Sequence, residues 1–324
     1  PARGHKTLTQ MARTSLGLAA VVAVGFSSGL FFGLCFHFGT STPAAAGGGS
    51  STCSLMRKQC TQQAALLLKR QAHKAERLHT TSLSERLARA PPTLFAAFDP
   101  FEPEVDCPSK LRVGMAFGDG GKFTCDSGFN LPNDCLFYSI GSNGDFSLEQ
   151  DVKSRWANCE LHTFDPTMRG RERPKWSDLL SKAADVGTTF YDIGLSGKSN
   201  TLHAPSEKSQ YGTLLDIMSF LGHTNRSVVL KVDVETAEFE SFAPIFHNCK
   251  LANQVRQILI EVHAYQLPEN ERHVILNRFF DGAFNCGLRL FSKERNPYCN
   301  GQSCAEFSFI STVDLARSFV RFAC

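Results

Sequence analysis

The amino-acid sequence predicts an α/β domain in which a mostly parallel β-sheet is covered by helices on both faces. Two observations lead to this prediction. From residue 135 onward, short apolar runs alternate with segments of helical periodicity, an order typical of parallel strands joined by helices. The last two apolar runs have no helical segment between them, which predicts an antiparallel pair at one edge of the sheet.

The predicted elements follow one another in a regular order. Strands are predicted at residues 135–140, 159–164, 188–195, 227–234, 257–262, 288–294 and 304–310. Helices are predicted at residues 146–157, 211–222, 237–246 and 269–283. In the first helix Leu148, Val152 and Trp156 recur every four residues, as a single apolar face requires. The third helix is predicted despite Pro244, which would kink or shorten it.

The N-terminal region has the composition of a membrane anchor. Residues 16–38 contain no Lys, Arg, Asp or Glu. As a helix this stretch would be about 34 Å long, enough for a hydrocarbon core of about 30 Å. Basic residues precede it, and none follows before Arg57. The positive-inside rule then predicts a cytoplasmic tail at 1–15, a transmembrane anchor at 16–38 and a main domain in the Golgi or endoplasmic reticulum lumen, the topology of a single-pass type II membrane protein. A cleaved signal peptide, which would give a secreted protein, is the alternative.

A linker and stem are predicted between this anchor and the α/β domain. Residues 39–52 are small and polar, as in a flexible tether. Residues 54–90 are rich in Ala, Leu, Gln, Lys and Arg, which indicates a basic helix that either self-associates or is simply solvated. The predicted organisation is therefore a linker and basic helical stem at 39–98 and a compact domain at 99–324.

Charge and cysteine content limit the possible partners. The chain has a net charge of only +3 and no basic surface pattern interleaved with aromatics, so nucleic acid is not predicted as a partner. Its 12 cysteines favour disulfides, with Cys107 and Cys125 flanking a turn-rich segment and Cys299 and Cys304 flanking a short loop. No paired C-x-x-C motif is present, and no metal is predicted. A lone sequon at Asn225 is compatible with a lumenal domain.

Two glycines separate the first predicted strand from the first helix. In "YSIGSNGDFSLEQ" (138–150), Gly141 and Gly144 would let the backbone turn sharply and approach a ligand, to which the helix N-terminus offers free N–H groups. Glycine in such a turn can also serve packing alone. Asp165 would end the second strand, where a carboxylate can accept hydrogen bonds from the two hydroxyls of a ribose. The loop and an acid about twenty residues later together predict a nucleoside-containing cofactor.

A second group of polar residues lies at the end of the strand 227–234. In "LKVDVETAEFE" (230–240), Lys231, Asp233 and Glu235 alternate with valines, so period-two geometry places them on one face. Charges there are costly to bury unless they are paired or used. The alternatives are a functional site and a mutually neutralising charge cluster.

At this point the sequence resembles the FkbM-type methyltransferases, class I enzymes that use S-adenosylmethionine, and within them a membrane-anchored, methyltransferase-like subgroup. The matching stretches occur in order: "GDGGKFTCD" (118–126), "YSIGSNGDFSLE" (138–149), "HTFDPT" (162–167), "FYDIGLSGK" (190–198), "LLDIMSFLGH" (214–223), "LKVDVETAE" (230–238), "ILIEVH" (258–263) and "FSKERN…CAEFSFI" (291–310). They cover roughly residues 105–312.

The resemblance implies a Rossmann-like class I methyltransferase sheet of seven strands, with the last strand antiparallel. It implies that the methionine part of S-adenosylmethionine lies over the loop from Gly141 through Ser142 to Gly144, and that Asp165 binds the ribose. Asp192 and Gly194 would lie near the adenine. Asp233 and Glu235 would face the transferring methyl group and the acceptor, and His263 is a candidate base because its pKa can lie near the working pH.

Two positions depart from the family pattern. Ser139 replaces the usual acid at the start of the cofactor loop, and Thr236 stands where glycine is more common, giving "VETAE". A side chain at position 236 would narrow the pocket or alter the choice of acceptor.

The expected activity is methyl transfer from S-adenosylmethionine to an unidentified acceptor, for example a carbohydrate hydroxyl. One alternative is a lumenal glycosyltransferase that uses Asp233 and Glu235 as a metal–nucleotide-sugar motif. Another is a binding protein that keeps the fold without catalysis.

Overall fold

A seven-stranded sheet forms the centre of the computed structural model, which describes residues 49–79, 85, 97–125, 135–170, 174–203, 208–299 and 303–323. Its strand order is β10-β11-β9-β8-β3-β4-β5. The five strands from β9 to β5 in this order pair in parallel. Strand β11 is antiparallel to both of its neighbours, β10 and β9. This arrangement confirms the predicted α/β class and the antiparallel last strand.

The elements alternate along the chain. The strands are β1 (Lys110–Gly114), β2 (Gly121–Cys125), β3 (Leu136–Ile140), β4 (Glu160–Phe164), β5 (Thr188–Tyr191), β6 (Ile193–Leu195), β7 (Gln210–Gly212), β8 (Val228–Val232), β9 (Val255–His263), β10 (Leu288–Arg295) and β11 (Cys304–Ser311). The helices are α1 (Gly49–His79), α2 (Ser147–Arg155), α3 (Trp176–Asp185), α4 (Leu214–Phe220), α5 (Glu238–His247), α6 (Cys249–Ala252), α7 (Arg272–Asn285) and α8 (Thr312–Ala323).

Alternation along each strand divides the core between the two faces of the sheet. Tyr138 of β3 and Leu230 of β8 pack with helices α4, α5 and α7 in the larger cluster. Their neighbours Phe137 and Val229 belong to the opposite cluster, which includes Leu148 of α2. With both faces covered, the central strands are buried along their whole length, which is why they appear in the sequence as unbroken apolar runs.

Several elements were not expected from the sequence. The segment between Cys107 and Cys125 contains an antiparallel hairpin of β1 and β2, which was not predicted. Helices α3 and α8 were also not predicted. The predicted strand 188–195 is divided at Asp192. Its first half, β5, ends the main sheet, whereas its second half, β6, pairs with β7 in a separate two-stranded sheet.

Part of the predicted stem packs against the α/β domain. Ala75 of α1 is buried in a cluster with Val105, Phe291 and Phe319, and Lys74 forms an ion pair with Asp106 at 2.9 Å. The domain boundary near residue 99 and self-association through the stem remain predictions.

Four disulfides are present among the described residues. Two of them, Cys107–Cys125 and Cys299–Cys304, join the cysteines that the sequence placed around short segments. The others are Cys135–Cys159, which connects the residue before β3 to the residue before β4, and Cys249–Cys286, which connects α6 to the residue after α7. Cross-links of this kind stabilise a fold mainly by restricting the unfolded chain.

The predicted location as a single-pass type II membrane protein is contradicted. Within the parts of the chain that the structure describes, no helix is both long enough and apolar enough to cross a membrane. The longest of these helices, α1, carries charged residues from Arg57 to Glu76. The predicted tail at 1–15 and span at 16–38 lie outside the described residues.

Candidate active site

The glycine loop between β3 and α2 makes an unusually close approach to the end of β8. Gly141 has φ +82°, and a Cβ atom built on it would lie 1.7 Å from the carbonyl oxygen of Asp233. Its N–H donates to the carbonyl of Phe164 at 2.8 Å, and its own carbonyl accepts a hydrogen bond from Lys231. Only glycine fits here, because a side chain would collide with the neighbouring strand end as well as strain the backbone.

Asp165 holds the middle of this loop. The carboxylate is almost fully buried, with Oδ2 accepting from the N–H of Asn143 at 2.7 Å. Its Oδ1 accepts from the N–H and the hydroxyl of Thr167 at 2.9 and 2.7 Å. Asp165, which was predicted to bind the ribose, is therefore also the residue that fixes the glycine loop to the end of β4.

A buried carboxyl lies next to Ser139, near the end of β3. Glu149 projects from α2 and accepts a hydrogen bond from Thr163 at 3.3 Å, with only 1% of its surface exposed. Burial raises the pKa of the Glu149 carboxyl, against the opposing effects of the Ser139 hydroxyl and the Lys231 ammonium. The helix thus supplies an acidic group where the strand has none. Glu149 was not among the predicted site residues.

Sheet register lines up the polar residues at the carboxyl edge. Ile140 pairs with Val232, and Val232 pairs with Ile260. One residue further on, Gly141, Asp233 and Glu261 therefore lie side by side. Like charges in adjacent strands repel one another, so this row needs cations nearby.

Two buried lysines supply that positive charge. Lys122 of β2 forms an ion pair with Glu306 and lies 3.7 Å from Oδ2 of Asp233, and Lys231 lies 3.8 Å from the same oxygen. Burial alone would raise the pKa of Asp233, but Lys231, Lys122 and His263 hold it below its usual range. Burial and the negative charges of Glu306 and Asp233 raise the pKa of Glu261 to about 8.

His263 is buried and oriented by Glu238. Oε1 of Glu238 accepts from the backbone N–H of His263 at 2.6 Å and lies 3.0 Å from its Nδ1. Burial alone would lower the pKa of His263, but the hydrogen bond to Glu238 and the nearby carboxylates raise it to about 9. In this arrangement the imidazole carries a proton at neutral pH, which does not favour the expected role as a base.

Glu235 reaches His263 through a strained turn rather than along the strand. The strand β8 ends at Val232, and Glu235 and Thr236 have φ values of +52° and +81°. Positive φ is rare for residues other than glycine, especially β-branched ones, so Thr236 holds a backbone conformation that glycine would adopt with less strain. The turn brings Oε2 of Glu235 within 3.6 Å of Nε2 of His263 and 2.7 Å of the Tyr265 hydroxyl.

A cavity of about 550 Å³ joins the glycine loop to the acidic residues. Six of the nine predicted site residues line it: Gly141, Ser142, Asp165, Gly194, Asp233 and Glu235. Glu149 and Glu261, which were not predicted, line it as well. The structure therefore brings the proposed cofactor and acceptor residues to one cavity.

The other three predicted residues lie around this cavity. Gly144 packs so tightly that an added Cβ would lie 2.8 Å from Cε of Met168. Asp192 forms an ion pair with Arg169, whose guanidinium lies 4.8 Å from the ring centre of Trp176. His263 lies behind Asp233, with Nε2 4.0 Å from its Oδ1.

The cavity also fits S-adenosylmethionine, which carries a positively charged sulfonium. Gly141 and Gly144 have the positive φ that side chains disfavour. The carboxylates of Asp165 and Asp233, which line the wall, are suited to this positive charge.

Solved structures with some similarity to this chain include several methyltransferases. Fibrillarin pre-rRNA processing protein from Methanococcus jannaschii is 10% identical, with a TM-score of 0.35, over 64% of this chain and 84% of its own. Aeropyrum pernix fibrillarin with natively bound S-adenosyl-L-methionine is 11% identical, with a TM-score of 0.34, over 63% and 84%. Precorrin-6y C5,15-methyltransferase from Geobacter metallireducens is 11% identical, with a TM-score of 0.28, over 57% and 83%. Similarity this low does not assign a function.

The family follows from the sequence match instead. No curated protein matches the chain at a significant level. A family model described as a methyltransferase domain matches residues 59–311, well over half of the chain and including most of α1. The chain therefore belongs to this family of methyltransferase domains, whose cofactor is S-adenosylmethionine.

Proposed function

We propose that this protein is an FkbM-type enzyme that transfers a methyl group from S-adenosylmethionine to an oxygen of its acceptor, such as a carbohydrate hydroxyl. The observation that carries this proposal is the contact between Gly141 and Asp233, which joins the cofactor loop to the acidic residues. Both groups line one cavity, so a cofactor and an acceptor bound there would be neighbours.

The cofactor half of the cavity comprises the loop from Gly141 to Gly144, Asp165 and Gly194. Backbone N–H groups at the start of α2 and the buried Asp165 carboxylate would hold the polar ends of S-adenosylmethionine. Gly194 leaves room between Tyr211 and Pro166, since an added Cβ would lie 2.5 Å from the Tyr211 ring. Asp192 would act from outside the cavity, by keeping Arg169 in place.

The acceptor half comprises Asp233, Glu235 and His263. When bound, S-adenosylmethionine supplies an electrophilic methyl group on its sulfonium. The protein then has to orient the acceptor oxygen and receive its proton. Glu235 is the best placed of the three to receive it, because its side chain is 70% exposed and lines the cavity. Asp233 would contribute negative charge, and His263 would keep the carboxylates in position.

Binding measurements on the purified chain test this proposal. Calorimetric titration with S-adenosylmethionine should give one site, whereas a nucleotide sugar titrated into protein already saturated with Mn²⁺ should give no binding. Replacing Asp165 by Asn keeps the shape but turns an amide toward the N–H of Asn143. Loss of a hydrogen bond to a charged group, worth about 1.5–3 kcal/mol, would weaken cofactor binding about 10- to 150-fold.

The matched control is Asp178→Asn, the same chemical change at an exposed position on α3. It should leave the affinity for S-adenosylmethionine unchanged. Tight binding of a nucleotide sugar alone would favour a glycosyltransferase. Binding of S-adenosylmethionine without methyl transfer to any hydroxyl acceptor in a panel of glycans would favour a non-catalytic binding protein.

A further inference from the structure

The acceptor half of the cavity contains more carboxyl groups than positively charged side chains. Among the described residues, six carboxyl groups lie in one connected cluster: Asp119, Asp233, Glu235, Glu238, Glu261 and Glu306. The lysines in contact with this cluster are Lys122 and Lys231. Buried carboxylates in such excess require a further positive partner or must take up protons.

The ring of His263 points into this cluster with one nitrogen still available. Only 2% of the residue is exposed. Glu238 binds the Nδ1 side, which turns Nε2 toward three other carboxyl groups. Nε2 makes no hydrogen bond to any described residue. A carboxylate that holds the far nitrogen of an imidazole is the arrangement usually found behind a metal-bound histidine.

The carboxylate oxygens around Nε2 lie close to it without forming hydrogen bonds to it. The nearest carboxylate oxygens lie at 3.6 Å in Glu235, 3.8 Å in Glu261 and 4.0 Å in Asp233. All three exceed the usual hydrogen-bond length. An octahedral ion with ligands at about 2.1 Å separates neighbouring ligand atoms by about 3.0 Å and opposite ones by about 4.2 Å. The ligand atoms of Asp233, Glu235 and His263 lie within 4.8 Å of one another, so small movements of the mostly exposed Glu235 side chain would bring all three around one ion.

We propose that Asp233, Glu235 and His263 bind one divalent cation at the acceptor end of the cavity, and that binding displaces the proton from Nε2 of His263. Two carboxylates and one imidazole suit an ion such as Mn²⁺ or Mg²⁺. The nearby sulfur of Cys304 is not a competing ligand because it forms a disulfide with Cys299. The ion would complete its coordination with oxygens of the acceptor, and this role, unlike binding itself, rests on the proposed function.

Titration of the chelator-treated full chain with Mn²⁺ tests the site directly. Electron paramagnetic resonance of free Mn²⁺, together with calorimetry, should give one bound ion per chain. His263→Gln should weaken binding at least tenfold, the loss seen even for residues that only support metal ligands. This position is buried, so thermal melting must be recorded for the variant.

Glu235→Gln provides the variant that keeps the fold, because this side chain is mostly exposed. It should also lose at least tenfold in Mn²⁺ affinity, whereas the exposed control Asp178→Asn should bind as the wild type does. Absence of Mn²⁺ binding at 1 mM, roughly the weakest affinity of protein calcium sites, would overturn the proposal. Unchanged Mn²⁺ affinity in folded Glu235→Gln and His263→Gln would overturn it too.

Binding of S-adenosylmethionine is measured separately in the presence of chelator. A chain that binds the cofactor but no Mn²⁺ would refute the metal site and leave the methyltransferase proposal standing. A chain that binds Mn²⁺ at these residues but no cofactor would do the reverse.

Discussion

Replacing Gly141 by Ala tests whether the close approach of two strand ends builds the cofactor site. Gly141 is in the left-handed region at φ +82°, and its added Cβ would lie 1.7 Å from the carbonyl oxygen of Asp233. Real Cβ atoms essentially never come closer than 3.0 Å to such an atom. The two backbones would therefore have to separate by about 1.3 Å, and a displacement near 1 Å at a reacting centre can cost about 100-fold in rate.

A matched control separates this collision from backbone strain. Gly222, just after α4, has φ +74° and no atom within 4 Å of its added Cβ. Gly222→Ala should lose only about 1–2 kcal/mol of stability, the cost of a left-handed backbone conformation for a residue with a side chain. Gly141→Ala carries the same penalty and must also move Asp233.

Calorimetry with S-adenosylmethionine and thermal melting should be run on both variants. We expect Gly222→Ala to melt a few degrees lower with normal cofactor affinity. Gly141→Ala should melt lower still and bind the cofactor at least about tenfold more weakly, a loss of about 1.4 kcal/mol. Equal melting temperatures and wild-type cofactor affinity in Gly141→Ala would refute the reasoning, because the loop would then tolerate a side chain against β8.

Three further substitutions address local features of the fold. Glu149→Gln should weaken S-adenosylmethionine binding without lowering the melting temperature at pH 8. Burial raises the pKa of this carboxyl, so its ionised form destabilises the fold and a neutral amide should not. A lower melting temperature would instead make Glu149 a structural residue. Thr236→Gly should raise the melting temperature, because it removes backbone strain of about 1–3 kcal/mol at φ +81°. The loss of the hydrogen bond from Thr236 to Gln266 offsets part of this gain in stability. An unchanged or lower melting temperature would show that the strain is compensated. Burial lowers the pKa of His162, so stability should be lost as the pH falls below the unfolded value of 6.5, by at most about 1.4 kcal/mol per pH unit for this group. In His162→Gln, the denaturant concentration at the unfolding midpoint should change less between pH 7.5 and 5.5 than it does in the wild type. An unchanged pH dependence of this midpoint would assign the effect to other groups.

The main sheet was predictable because each strand carries its own signal. Buried parallel strands are short unbroken apolar runs, and the helices between them have a different period. Helix α3 carries a comparable signal, since Trp176, Leu179 and Ala183 recur at intervals of three and four residues. The division of the predicted strand at Asp192 has no local signal in the sequence, because β6 separates from the main sheet by pairing with β7. That pairing depends on a segment fifteen or more residues away.

The candidate site was predictable only where one strand end contains several of its residues. Gly141 and Gly144 share a loop, and Asp233 and Glu235 share a turn, so each pair was visible in the sequence. Glu261 and His263 alternate at the end of β9, a period-two signal that would have placed both at the same edge. Lys122 comes from a hairpin whose position over the sheet depends on tertiary packing, and nothing local indicates that it meets Glu306.

Sheet register explains why charges that look unfavourable one by one are found together. β11 runs opposite to β9 and places Glu306 directly across from Glu261, while the parallel pairing of β8 and β9 places Asp233 beside Glu261. A shift of one residue in either pairing would send these side chains to the other face of the sheet and bury them in the apolar core. The apolar residues on both sides therefore fix the register, and the register forces three carboxyl groups into one row. Lys122 offsets part of this repulsion from one side, and the excess that remains on the side of His263 is the physical reason to expect a bound cation there.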